Sequence, residues 1–140
     1  MLTNRRDVEI EWGDCDAAGI VFYPRYFAMF DASTARLLQK AFGMRKKEWT
    51  RRFGIVGIPM ADTGASFRMP SAYGDVIVIE SRVTAVNRSS FEIAHTVFKG
   101  ERIAIEAREK RVWTGRDPED PEKLRAVPIS DEVRSLLLGT

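Results

Sequence analysis

The segment from Pro24 to Phe42 constrains this chain most, because it reads as a helix with almost nothing to present to water. Pro24 suits a first turn, where its preset φ helps and its missing N–H would have no helical partner, and Gly43 is a natural stop. Phe27, Phe30, Thr34, Leu37, Leu38 and Ala41 follow the three-and-four spacing of a buried stripe. Ala28, Met29, Ala32 and Ala35 leave little polar surface on the other sides, so the helix is expected to be enclosed. Asp31, one turn after Phe27, is expected on or beside the buried face. An ionised carboxylate is costly there without a partner, which makes Asp31 a functional candidate.

The rest of the chain reads as the sheet that encloses this helix. Val8, Ile10 and Trp12 alternate with Asp7, Glu9 and Glu11, the period of a strand with one buried face. After a basic helical or irregular piece at 45–53 and a connector at 54–59, further strands are expected at 62–69, 75–87, 90–99 and 101–113. The longest, 75–87, is expected to be central. Tyr73-Gly74-Asp75, Asn87-Arg88-Ser89 and Lys99-Gly100-Glu101 mark turns short enough for antiparallel pairing. A polar loop with two prolines spans 115–123, and Ser130 is placed to cap a last helix over Asp131–Leu138. One helix followed by a run of antiparallel strands gives an α+β fold of about five strands on one helix. Five strands cannot surround a helix completely, so a dimer or larger homo-oligomer is expected to cover the rest.

Residues 1–140 are long enough for one domain with a real core, and a hydrophobic content of 44% argues against disorder. No apolar run approaches the roughly 20 residues needed to span a bilayer, and the N-terminus enters a strand pattern without an apolar signal segment. No membrane partner is therefore expected, and the chain is read as cytoplasmic. A single cysteine, Cys15, cannot form an internal disulfide, in keeping with a reducing compartment. A net charge of +2, with basic residues interleaved among acids, does not suggest a nucleic-acid binder. No His/Cys cluster has metal-ligand spacing, so neither metal nor other cofactor is expected.

Gly13-Asp14-Cys15-Asp16 through Gly19 to Tyr23-Pro24 resembles the signature of the 4-hydroxybenzoyl-CoA thioesterases of the Pseudomonas type, which are hotdog-fold enzymes. The resemblance continues through Gly54-Ile55-Val56-Gly57-Ile58-Pro59, Ala65-Ser66-Phe67, the 75–80 strand, Ser90-Phe91 and Leu124-Arg125-Ala126. It implies a hotdog fold and hydrolysis of an aromatic acyl-CoA, 4-hydroxybenzoyl-CoA, to free acid and CoA. It also implies a homotetramer built as a dimer of dimers. Two alternatives stay open: a thioesterase for other acyl-CoA or acyl-carrier-protein substrates, and a non-catalytic acyl-CoA-binding module.

Asp16 lies just before the helix between Gly13 and Gly19, and on residue type alone it is either a turn or cap acid or a catalytic one. The resemblance makes it the catalytic carboxylate, acting by direct attack on the thioester carbonyl or through a water. Tyr23 stands where a helix leaves backbone N–H groups unpaired, and the resemblance assigns its N–H to polarising the carbonyl. For Asp31 the resemblance implies a hydrogen bond from the 4-hydroxyl of the ring; a structural acid bonded to backbone or to Arg68 is the other reading. Arg88, Ser89 and Ser90 occupy a turn that in the family contacts the CoA phosphates, and Arg125 matches an arginine near the same nucleotide end. A Cys15–His95 nucleophilic pair is disfavoured, because Cys15 lies between two acids. His95 shares a strand face with Phe91, Ile93 and Val97 and reads as a hydrogen-bonded core or interface histidine.

Overall fold

A computed structural model describes residues 2–140 of the chain. Met1, the first residue of the expected N-terminal segment, lies outside the described residues. Strand β1 runs over Thr3–Glu9, helix α1 over Tyr23–Phe42 and helix α2 over Lys46–Phe53. Strands β2 (Met60–Phe67), β3 (Val76–Val86), β4 (Ser90–Lys99) and β5 (Arg102–Val112) follow. Two short strands, β6 (Thr114–Arg116) and β7 (Leu124–Ala126), precede helix α3 (Asp131–Leu138). The main sheet has the order β1-β3-β4-β5-β2 with every neighbour antiparallel. This is the expected α+β arrangement of five strands and a long helix.

The helix boundaries follow from local chemistry. Gly43 closes α1 in the left-handed region at φ 69°, and its N–H donates to the carbonyl of Gln39. Ser130 caps α3 through a 3.2 Å bond from the Val133 N–H to its hydroxyl. The 75–87 segment is interior, as expected, although the middle position in the sheet belongs to β4.

Three expectations about the strands need correction. The turn at 73–75 closes no hairpin, because β2 pairs with β5 at the far edge of the sheet and not with β3. The N-terminal strand ends at Glu9; Ile10 still keeps the alternation and is buried, but Trp12 enters a 3₁₀ turn that leaves it 79% exposed. The turn forms because Asp14 accepts the Glu11 N–H at 2.9 Å and the Asp14 N–H donates to the Glu11 carbonyl. The 115–123 loop is also not wholly irregular, since the ends of a longer 114–126 excursion pair as β6 and β7.

The core under α1 has two parts. Leu37, Leu38 and Phe42 of its C-terminal half pack with Trp49, Val83, Phe91, Trp113, Val133 and Leu137. Tyr26, Met29 and Phe30 of its N-terminal half pack with Ile77, Ile79, Val97 and Ile105. The start of α1 therefore lies near the beginning of β3 and its end near the end of β3. These termini are separated by about 30 Å, the length of a twenty-residue helix.

Candidate active site

The loop before α1 is a small hairpin with its own turn. Cys15 bridges to Val21, the Asp16 N–H donates to the Ile20 carbonyl at 2.9 Å, and the Phe22 N–H donates to the Asp14 carbonyl at 2.8 Å. At its tip the Gly19 N–H returns to the Asp16 carbonyl at 3.0 Å, with Asp first and Gly fourth as a type I turn prefers. The Asp16 Oδ1 accepts the Ala18 N–H at 2.8 Å. One carboxylate oxygen thus holds the turn, and Oδ2 has no partner among the described residues. The residue faces a cavity of about 290 Å³ lined by Trp12, Cys15, Ala17, Gly19 and Tyr73. Asp75 anchors this end by accepting the Ala72 N–H at 2.8 Å and pairing with Lys99 at 3.1 Å; both interactions hold its carboxyl below the usual range.

Helix α1 begins without a side-chain cap. Phe22 occupies the cap position, Pro24 has no N–H, and the Arg25 N–H bonds back to Phe22 at 2.8 Å. Among the described residues the Tyr23 N–H has no acceptor. This amide stands at the positive end of the helix dipole, equivalent to roughly half an elementary charge, and suits a developing oxyanion. Beside it Ile20, Val21, Tyr23, Tyr26, Phe67, Arg68, Met69 and Pro70 line a mainly apolar cavity of about 380 Å³. Phe67 packs against both Tyr26 and Phe27, at centroid distances of 5.8 and 6.4 Å.

Asp31 differs from its expectation. Its side chain is 70% exposed, so no burial penalty acts on it here, and its Oδ1 accepts from Arg111 Nη2 at 2.8 Å. Arg68, the structural partner considered from the sequence, pairs with Glu106 instead. Tyr23, Phe27 and Asp31 lie four residues apart in turn on one helix stripe. Some 12 Å of helix axis separates the Tyr23 amide from Asp31.

Behind Asp31 lies a buried polar network that the sequence reading missed. Arg111 donates from Nε to Glu109 Oε1 at 3.0 Å and from Nη1 to the Ile58 carbonyl at 3.2 Å. Glu109 also accepts from the Thr34 hydroxyl at 2.6 Å, and its Oε2 lies 3.3 Å from His95 Nε2. His95 Nδ1 is 2.7 Å from the Ser81 hydroxyl, and its ring stacks on Phe30. Burial opposes ionisation of Glu109, but hydrogen bonds from His95, Arg111 and Thr34 outweigh it and bring its pKa below the ordinary value. Burial likewise opposes the Arg111 charge, and the Glu109 and Asp31 carboxylates more than offset it. A signal was present in the sequence: Glu109 and Arg111 share the inward parity of Ile105, Ala107 and Trp113. Opposite charges two apart on an apolar strand face must pair with each other or with something above them.

His95 is thus the hydrogen-bonded core histidine expected, and it is not brought to Cys15, whose thiol faces the Glu11 carbonyl at 3.7 Å. Among the described residues no group of three or more His, Cys, Asp and Glu could hold a metal ion.

The remaining candidates gather at the far end of the sheet. Arg88, Ser89 and Ser90 lie at the β3–β4 turn, which is held tightly: Arg134 donates to the Val86 and Asn87 carbonyls at 2.7 and 2.9 Å. The Arg88 and Ser89 carbonyls accept from the N–H groups of Ile129 and Trp113. Ser90 takes a 3.3 Å bond from the Asn87 amide. Arg125 on β7 lines a cavity of about 490 Å³ with Arg52, Arg116 and Ser130. Arg52 pairs with Glu132 at 2.8 Å, whereas Arg88 and Arg125 have no acidic partner among the described residues. One protomer therefore carries Asp16 and Tyr23 at one end of the sheet, lining separate cavities, and Arg88 and Arg125 at the other.

The family model of the thioesterase-like superfamily matches residues 10–137. The chain belongs to that superfamily. It is 34% identical over 125 residues to the 4-hydroxybenzoyl-CoA thioesterase of Pseudomonas sp. (strain CBS-3), covering 86% of each chain. The structure of a mutant 4-hydroxybenzoyl CoA thioesterase complexed with 4-hydroxybenzoyl CoA matches with a TM-score of 0.88 at 30% identity, over 98% of this chain and 99% of that one. A gentisyl-coenzyme A thioesterase structure matches with a TM-score of 0.78 at 27% identity, over 96% and 98%. The fold of this superfamily member is the hotdog, with its sheet packed on one face of α1; the helix is not enclosed in the protomer as its composition had implied, since Ala28, Ala32 and Ala35 lie on an exposed face.

Proposed function

We propose that this chain hydrolyses an aromatic acyl-CoA thioester, with 4-hydroxybenzoyl-CoA the substrate that fits best. The observation that carries the reading is the order of Asp16 and Tyr23: a carboxylate with a free oxygen sits on the hairpin leading into an uncapped helix N-terminus. The apolar, aromatic cavity beside Tyr23 suits the ring. A para-hydroxybenzoyl group has its carbonyl and hydroxyl at opposite ends of a rigid ring. With the carbonyl on the Tyr23 amide, the hydroxyl is directed along the Tyr23-Phe27-Asp31 stripe toward Asp31.

In this mechanism Asp16 attacks the thioester carbonyl while the Tyr23 N–H stabilises the oxyanion. The C–S bond breaks, CoA leaves as a thiolate that takes a proton from water, and water cleaves the mixed anhydride to restore Asp16. Direct attack is favoured over a histidine-assisted water because His95 is enclosed in the core.

The assembly is a homotetramer in this reading. Edge strand β1 carries Arg5, Arg6, Asp7 and Glu9, which discourage pairing, whereas the other edge, β2, has Asp62 as its only charge and exposes Met60 and Phe67. A second copy on the β2 edge covers that strand. Neighbouring copies also offer a way for Arg88 and Arg125 to reach the phosphates of a CoA whose acyl end lies at Asp16. The lone Cys15 suits a cytoplasmic location.

The experiment is thiol release from aromatic and aliphatic acyl-CoAs by the wild type and by Asp16→Asn. We expect 4-hydroxybenzoyl-CoA to be cleaved fastest and Asp16→Asn to lose about 10²–10⁴-fold in turnover while still binding substrate. Hydroxylamine should trap the anhydride in the wild type. Absence of turnover on every ester would favour a binding module, and preference for aliphatic chains would move the substrate class.

A further inference from the structure

The buried network has a single outlet. Arg111 is 7% exposed, and its Nε, Nη1 and Nη2 are committed in turn to Glu109, the Ile58 carbonyl and Asp31. Glu109, 2% exposed, is itself fixed by Thr34 from α1 and His95 from β4, and His95 is fixed by Ser81 from β3. Every member is enclosed except Asp31, which emerges with Oδ1 held and Oδ2 without a partner among the described residues.

An aspartate on an exposed helix face ordinarily samples several rotamers, and a substrate must order it at an entropic cost. Here the guanidinium holds one oxygen in place from below, leaving the other aimed outward. Arg111 is shared by two carboxylates, so its charge does not cancel that of Asp31 as well as that of Glu109. The exposed oxygen keeps a surplus of negative charge. It favours a neutral donor such as a hydroxyl and disfavours an acyl group carrying its own carboxylate.

We propose that Arg111, locked by Glu109, is a positioning residue that sets the acyl-group preference by fixing Asp31 to receive a ring hydroxyl. This deepens the site reading above and rests on Asp31 meeting the acyl ring. Arg111 touches no reacting atom in this scheme. Its effect passes through Asp31, so it belongs in the ratio between hydroxylated and unhydroxylated substrates and in KM more than kcat.

The test compares kcat/KM for 4-hydroxybenzoyl-CoA and benzoyl-CoA in the wild type, Asp31→Asn, Arg111→Lys, Glu109→Gln and the Asp31→Asn/Arg111→Lys double variant. Asp31→Asn should reduce the 4-hydroxybenzoyl preference about 10- to 100-fold, the value of a charge-assisted hydrogen bond. Arg111→Lys retains the charge but not the fork, and should reduce the preference about tenfold, chiefly through KM. In the Asp31→Asn background it should change the ratio no further. An Arg111→Lys enzyme that keeps the wild-type ratio while Asp31→Asn loses it would overturn the positioning role and leave the site reading intact. Loss of both substrates alike in Arg111→Lys would overturn it too, marking a structural residue. An unchanged ratio in Asp31→Asn would remove the site reading itself. Should Arg111→Lys not fold, Glu109→Gln decides: a reduced ratio supports the proposal, and an unchanged one overturns it.

Discussion

The C-terminal half and the middle of the space under α1 are built on opposite terms. Beneath its C-terminal half the packing is dry and aromatic: Trp49 and Trp113 stack at 5.9 Å, and Phe42, Phe53 and Phe91 surround them. Beneath Asp31 and Thr34 the same sheet supplies Ser81, His95, Glu109 and Arg111. Buried ion pairs of this kind are often no more stabilising than apolar residues of equal volume, since desolvation consumes most of the attraction. The dry half, with the apolar cluster under the N-terminal half, holds the fold, and the polar middle uses part of the core to place one carboxylate at the surface.

The largest effect that would sharpen this contrast lies in the dry half. Trp113→Ala should destabilise the chain by about 3–5 kcal/mol in urea unfolding, because the ring is fully buried and its neighbours cannot close the gap. In protein that remains folded, the acyl preference should stay near the wild-type ratio. A shift in that ratio larger than the one from Arg111→Lys would break the division between the two regions.

Much of the dry half was legible in the sequence, for physical reasons that are local. Leu37 and Leu38 with Gly43, the turn at 87–89, and Ser130 before an apolar run each combine residue type with short-range geometry. Of the candidate site, Asp16 and Tyr23 were readable because a strand, a glycine-bounded acid and a helix-starting Pro24 occur within one stretch. The polar middle was not readable in the same way. Whether Arg111 reaches Asp31 or Glu109 depends on how α1 lies over β5, a contact across eighty residues, and Arg68 looked equally available until the β2–β5 register placed it beside Glu106. Trp12 misled because an alternation of side chains cannot report where a 3₁₀ turn ends a strand.

A smaller effect is expected from Glu109→Gln, which keeps the shape but removes the charge, costing about 1.5–3 kcal/mol. Its pH dependence is more telling than its size. The Glu109 pKa in the fold lies below the ordinary 4.5, so the unfolded chain binds the proton more readily. The stabilisation is therefore present above that ordinary value and is lost as pH falls through the lower native one. Denaturant unfolding from pH 7 down to 3 should show the gap between wild type and Glu109→Gln narrowing below about pH 4.5. A gap constant across that range would mean that the carboxylate charge contributes nothing to the fold.

The smallest effects concern the cap of α3 and its independence from the network. Ser130→Ala removes the bond from the Val133 N–H and should cost about 1 kcal/mol. The acyl preference should not change, since α3 packs on the dry half through Val133 and Leu137. Ser130 shares no hydrogen-bond partner with Glu109, whose contacts are Thr34, His95 and Arg111. The Ser130→Ala/Glu109→Gln double variant should therefore lose the sum of the two single effects, within about 0.5 kcal/mol. A coupling well beyond that would mean that strain passes along α1 between the two regions, and placement of Asp31 would then depend on the aromatic packing as well as on Arg111.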